Sequence, residues 1–139
     1  MKTFDELISN TEQKQLNGYE IINRLSEMHE EKEVYFCDHV EPFHGAHDLP
    51  VNDFFSWRGS YSEPSIWSDG NETHTVKALI IHLKDFFSSI QTGWKGGEFQ
   101  MDCHSPVWCD PEGACRERGV KDVVECEEAV YIVVGQFKY

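Results

Sequence analysis

The most constraining feature of the chain is an unbroken apolar stretch near its C-terminal end, residues 130–135 (VYIVVG). Val, Ile and Tyr favour strands, and an apolar stretch that is continuous rather than alternating is typical of a strand covered on both faces. We therefore expect this strand to lie centrally in a sheet, with other elements packed over it.

Two segments have the period of an amphipathic helix. Residues 75–87 place apolar side chains at i, i+3, i+4, i+7, i+10 and i+11, which predicts one buried stripe: Val76, Leu79, Ile80, Leu83, Phe86 and Phe87. A helix is also predicted after Gly18, with a stripe of Tyr19, Ile21, Ile22, Leu25 and Met28. Thr3 and Glu6 have the spacing of a capping box and predict a further short helix at the start of the chain.

Four more segments are predicted to be strands, because they combine β-branched or aromatic residues with flanking turn residues. They are residues 34–37, 54–61, 98–101 and 106–109. The sum predicts an α+β fold: a mostly antiparallel sheet of about five strands, with two or three helices packed on one face, in a single domain over 1–139.

Three remaining segments are rich in turn-forming or charged residues and are predicted to be loops: residues 38–53, 62–72 and 110–121.

The chain is strongly acidic. It has 12 Lys and Arg against 25 Asp and Glu, a net charge of −13. A broad nucleic-acid-binding surface needs clustered cations, so this class of protein is excluded. With 40% hydrophobic residues the chain has enough core material to fold.

The sequence has no apolar run of membrane-spanning length and no signal-type start, so we expect a cytoplasmic protein without a membrane partner. Its five cysteines are an odd number at low density, which favours reduced thiols.

Cysteine and histidine cluster in one region: Cys103, His104, Cys109 and Cys115. Thiolates and imidazole are the usual zinc ligands, but these spacings are longer than those of zinc knuckles. Ordinary reduced cysteines and no cofactor are therefore expected, and a zinc site is the alternative. Three more histidines, in residues 38–48, suit either metal or acid–base chemistry, or a solvated loop.

Two blocks place cations beside aromatic and acidic residues. The first holds Trp57, Arg58, Ser60, Tyr61 and Glu63, and the second holds Trp94, Lys95 and Glu98. A cation framed by aromatic rings suits a planar or anionic ligand, while an arginine paired with a glutamate would instead join strand ends. The glycines around Lys95 fit either an anion-binding nest or a hairpin turn.

These blocks resemble those of a widespread family of small tailed-bacteriophage proteins. That family has a SWRGSY-E block, a GYKGGE-M block and a TP-W strand, matched here by residues 55–66, 94–101 and 105–108. The resemblance spans roughly residues 3 to 134, while the cysteines near 103–115 and the His-rich loop depart from it. It implies an accessory protein in the host bacterial cytoplasm that disables a host factor or defence system.

Three functions follow as hypotheses. The first is a non-catalytic protein that binds a nucleotide-like or anionic ligand at the two cation-containing blocks. The second is an acidic protein–protein inhibitor or DNA mimic that blocks a host enzyme. The third is a metal-dependent enzyme that uses the histidines and cysteines.

Overall fold

The structure is a computed structural model and describes residues 14–38, 49–56, 61–69, 72–93, 95–110 and 118–137. In chain order these form two helices and eight strands: α1 (Gly18–Ser26), β1 (Val34–Asp38), β2 (Asp53–Ser56), β3 (Pro64–Trp67), α2 (Val76–Ser88), β4 (Ile90–Thr92), β5 (Glu98–Gln100), β6 (Trp108–Asp110), β7 (Arg118–Glu125) and β8 (Val130–Gln136).

Six of the strands form one mixed sheet in the order β1-β8-β7-β6-β3-β2. The pairs β1/β8 and β3/β6 are parallel, and the other three pairs are antiparallel. Strands β4 and β5 form a separate antiparallel hairpin. The α+β class is confirmed, although the main sheet is mixed and has six strands where about five were predicted.

Strand β8 lies between β1 and β7, and both of its faces are buried, as predicted. Val130, Ile132 and Val134 belong to the main core together with the buried faces of both helices. Val133 points to the other face, where it packs in a small cluster with Cys37 and Val124. Because strand residues alternate between faces, the continuous apolar sequence serves both clusters.

Both helices begin at side-chain caps. The side chain of Asn17 accepts a hydrogen bond from Glu20 N at 2.8 Å, and the Glu20 side chain accepts one from Asn17 N at 3.1 Å, which completes a capping box. Thr75 Oγ1 accepts from Ala78 N at 3.2 Å and caps α2. The predicted starts of these two helices are confirmed, whereas the Thr3–Glu6 capping box lies outside the described residues.

The segment before α1 is anchored in the sheet by Leu16, which is 2% exposed. Its N–H donates to the Val120 carbonyl at 2.8 Å, and its carbonyl accepts from Val107 N–H at 2.9 Å. This backbone pairing fixes the point at which α1 leaves the sheet and packs beside α2.

Strand β3 and the first half of β7, residues 118–121, were predicted to be loops, and this was wrong; the second half of β7 was not assigned. In β7, Lys121 and Asp122 resemble loop residues, and a register shift between Val120 and Asp122 breaks the two-residue alternation of a strand. In β3, Pro64 and Ser65 resemble a turn, but both are buried. None of the helices in the described ranges is long and apolar enough to cross a membrane.

Candidate functional site

The two helices pack side by side in opposite directions. Gly18, at the start of α1, lies against Phe87, near the end of α2, so closely that a Cβ at Gly18 would be 2.2 Å from the ring. At the other end, Leu25 of α1 lines a pocket together with Val76 of α2. A glycine at this crossing lets the two helices approach closely enough to enclose a shallow groove.

Two pockets lie along this helix pair. One, of about 470 Å³, is lined by residues that include Met28, Glu30, Lys77, Ile80 and Ile81. The other, of about 390 Å³, is lined by residues that include Tyr19, Ile22, Lys84, Phe87 and Cys103. Ser26 lines both pockets. We therefore treat them as one surface, the helix groove.

The helix groove exposes large apolar side chains. Tyr19 is 55% exposed and Ile81 is 60% exposed, while Ile22, Met28 and Ile80 are half-buried against the core below. Scattered exposed apolar residues are common on soluble proteins, but apolar residues that line a continuous concave surface are typical of binding sites.

The net charge of the residues that line the groove is positive, whereas that of the whole chain is negative. Its lining contains one carboxylate, Glu30, and two ammonium groups, Lys77 and Lys84. Among the described residues, neither lysine takes part in an ion pair. Lys77, Ile81 and Lys84 have the i, i+4, i+7 spacing of one helix face. An apolar groove with a basic border is therefore built into a strongly acidic chain.

One end of the groove is formed by a tight turn after β5. Asp102 accepts hydrogen bonds from His104 N at 2.8 Å and from Ser105 Oγ at 3.0 Å. The Cys103 carbonyl accepts from Tyr19 N–H at 3.0 Å, and the His104 and Tyr19 rings lie 5.8 Å apart. The turn therefore holds the exposed Tyr19 in place at the start of α1.

Other charged residues near α1 have structural partners. Lys14 pairs with Glu20 at 2.7 Å, Lys32 pairs with Glu125 at 3.2 Å, and Arg24 pairs with Asp122 of β7.

These contacts also affect the glutamates. The hydrogen bond from Lys14 holds the pKa of Glu20 below its ordinary value. The backbone N–H of His29, with Lys32, does the same for the pKa of Glu125, and a hydrogen bond from the Thr73 side chain lowers the pKa of Glu33.

Half of the predicted ligand-binding residues lie outside the described residues: Trp57, Arg58, Ser60 and Trp94. The structure places Lys95 and Glu98, both exposed, at the tip of the β4–β5 hairpin. Tyr61 is 58% exposed and lies beyond the other end of β5, where its carbonyl accepts from Asp102 N–H at 2.9 Å. Glu63 is half-buried just before β3.

The glycines around Lys95 form a hairpin turn. Gly93 N–H donates to the Gly97 carbonyl at 2.7 Å, and Gly96 N–H donates to the Gly93 carbonyl at 2.9 Å. Gly96 has a φ of 88°, which favours glycine. The hairpin interpretation is confirmed, and it occupies two of the N–H groups that an anion-binding nest would use.

The predicted zinc ligands are in different environments. Cys109 is fully buried in β6, Cys103 is half-buried and His104 is exposed, while Cys115 and residues 39–48 lie outside the described residues. Within the described residues no group of three or more His, Cys, Asp and Glu side chains could hold a metal. Burial raises the pKa of the Cys126 thiol and makes it a poorer nucleophile.

Sequence reasoning missed the helix groove. It assigned Tyr19 and Ile80 to buried stripes and did not single out Ile81, because periodicity identifies the apolar face of a helix but not how completely its neighbours cover that face. The available signal was an isoleucine at position 81 beyond the stripe of α2. The sequence also predicted Arg118 to lie in a loop, whereas it lies in β7 and is 2% exposed.

Comparison with known proteins adds no relative. No family model, curated protein or solved structure matches the chain.

Proposed function

We propose that the chain is a non-catalytic binding protein that holds an amphipathic helix of a partner protein in the helix groove. The observation that supports this best is the two adjoining pockets of α1 and α2, which share Ser26, with Ile81 in one and Tyr19 in the other each more than half exposed. Grooves of this kind accept the apolar face of a third helix, whose anchoring residues recur every three or four positions.

The lysines define the chemistry of the partner. Lys77 and Lys84 border the groove and are two helical turns apart, about 10.5 Å along the axis. A helix lying along α2 would meet both ammonium groups with carboxylates seven residues apart on one flank. The expected partner segment therefore has an apolar stripe beside an acidic flank.

The biological setting of this proposal comes from the resemblance to phage proteins. In that setting the partner is a host factor or a component of a host defence system, and binding would block its normal contacts. This is the protein–protein inhibitor among the sequence hypotheses. Since the chain carries −13 overall, the rest of the partner's surface is expected to be basic, which would speed association at low salt.

The test compares two exposed isoleucines. Ile81→Lys adds a charge in the groove, whereas Ile90→Lys adds the same charge on β4, where Ile90 is 64% exposed and lines neither pocket. Both variants should fold, because exposed positions tolerate substitution. The probe is a fluorescein-labelled helical peptide with leucines at i, i+3 and i+7 and two flanking glutamates seven residues apart, and its lysine-flanked twin is the second probe.

We expect the glutamate-flanked peptide to bind the wild type and Ile90→Lys equally, and Ile81→Lys at least about tenfold more weakly, a difference of about 1.4 kcal/mol. The lysine-flanked twin should bind the wild type more weakly than the first peptide. Equal binding by both isoleucine variants would contradict the proposal. If the wild type sediments as a dimer and Ile81→Lys as a monomer, the occupant of the groove is a second copy of this chain. If the peptide binds only after residues 1–13 are removed, the occupant is that segment of the chain itself.

The nucleotide-like ligand remains a separate proposal for the blocks around Trp57 and Lys95. If a nucleotide raises the melting temperature of the wild type and of Ile81→Lys but not that of Lys95→Ala, the nucleotide site would be favoured over the helix groove.

A further inference from the structure

Two histidines lie together at the start of α2. His74 immediately precedes the cap residue Thr75, and His82 lies two turns into the helix, where it is exposed. Their ring centroids are 4.6 Å apart, and the ring planes are inclined at 52°. Neither residue lines the helix groove, and the pairing of residues eight apart could not be read from a sequence motif.

The backbone on both sides of this pair is fixed. The His74 carbonyl accepts a hydrogen bond from Val34 N–H of β1 at 3.0 Å, and the next residue, Thr75, caps α2. His82 is carried by the helix itself. Because His82 belongs to α2 and the backbone of His74 is bonded to β1, little backbone freedom remains to be lost when the two rings bind a common ligand.

The ring separation fits coordination of one metal ion. Transition metals bind imidazole nitrogen at about 2.0–2.1 Å, which puts the ring centre roughly 3.2 Å from the ion. Two imidazoles at right angles around one ion then have centres roughly 4.5 Å apart, and at a tetrahedral angle roughly 5.2 Å apart. The 4.6 Å separation of His74 and His82 lies within this range.

We propose that His74 and His82 together bind one divalent transition-metal ion of the nickel, copper or zinc class, which imidazole ligands suit. Since the described residues contain no third His, Cys, Asp or Glu grouped with them, water fills the remaining positions. The ion would join the segment before α2 to the second turn of that helix, and it would stabilise the folded chain by binding it in preference to the unfolded one.

The experiment removes competing histidines first. His39, His44 and His47 are replaced by alanine in a background variant of the full chain, and Ni²⁺ binding is measured by isothermal titration calorimetry. His74→Gln and His82→Gln are then made in that background. The matched control is His104→Gln, since His104 is also exposed and lies beside an aromatic ring.

We expect the background variant to bind one Ni²⁺, His74→Gln and His82→Gln each to weaken binding at least tenfold, and His104→Gln to leave it unchanged. Ni²⁺ should also raise the melting temperature of the background variant but not that of His82→Gln. If His74→Gln does not fold, the exposed His82 variant decides the outcome. Binding by His82→Gln within twofold of the background, or absence of binding in the background, would overturn the proposal.

Discussion

Gly18 is the position where a single methyl group should have the largest effect on the helix pair. In Gly18→Ala the new Cβ would lie 2.2 Å from Cζ and 2.4 Å from Cε2 of Phe87, whereas carbon atoms pack at about 3.5–4.0 Å. The ring or the helix must therefore move by more than about 1 Å. Phe87 is only 7% exposed and its ring belongs to the main core, so the ring has little room to move.

The net effect combines a loss and a gain. Overpacking of a core typically costs about 1–3 kcal/mol, and contacts this short favour the upper part of that range. Alanine offsets up to about 1 kcal/mol of this through its greater helix propensity. We expect Gly18→Ala to lower the free energy of unfolding by about 1–2 kcal/mol, which for a chain of this size lowers the melting temperature by about 3–8 °C.

Thermal and urea unfolding followed by circular dichroism would measure this change. Gly97→Ala is the matched control, because no atom lies within 4 Å of its added Cβ, and its effect should stay within about 0.5 kcal/mol. Phe87→Leu should be less destabilising in the Gly18→Ala background than in the wild type, with a coupling of about 1 kcal/mol. A Gly18→Ala protein as stable as the wild type, or additive effects of the two changes, would refute the reasoning.

Two further predictions concern titration and thiol reactivity. Because the pKa of Glu20 is lowered in the folded state, its ionised form stabilises the fold above its ordinary value of 4.5, and this contribution is lost as the pH falls through the lowered value. Urea midpoints should therefore fall more steeply with acidification in the wild type than in Glu20→Gln, and parallel curves would contradict this. In native protein, iodoacetamide should label the half-buried Cys103 before Cys37 and Cys109, which are 0% exposed. Peptide mass spectrometry would follow the labelling, and labelling of Cys109 before Cys103 would contradict the prediction.

The sequence predicted those elements whose apolar pattern is local and uninterrupted. Helix α2 was predicted because six apolar positions share one face, and β8 because its apolar residues are continuous. Strand β7 was missed because charged residues and a bulge interrupt its pattern between Val120 and Asp122. Its backbone pairs with β6 and β8, and Val120 and Val123 are buried in the main core, so the strand depends on contacts with distant parts of the chain.

The candidate sites were less predictable than the fold, because each depends on contacts between separate elements. The helix groove requires the approach of Gly18 to Phe87, and the histidine pair requires the orientation of α2 relative to the segment before it. No spacing rule encodes either arrangement. In contrast, the hairpin turn at residues 93–97 was one of the two structures expected from its glycines, since a glycine turn is determined by a few neighbouring residues.

The parallel pairing of β1 with β8 affects how the chain can fold. Val34 pairs with Val130, and Asp38 pairs with Val134, so the hydrogen bonds between β1 and β8 can form only after one of the last strands has been made. Pairing between such distant residues requires closure of a long loop, and it places the chain among the slower, millisecond-to-second folders. During synthesis, the edge of β1 that faces β8 would remain unpaired until β8 is complete. The opposite edge has an earlier partner in residues 49–51, where Phe36 N–H donates to the Leu49 carbonyl and Val51 N–H donates to the Val34 carbonyl. The β8-facing edge is therefore the side of β1 that is open to wrong association before folding ends.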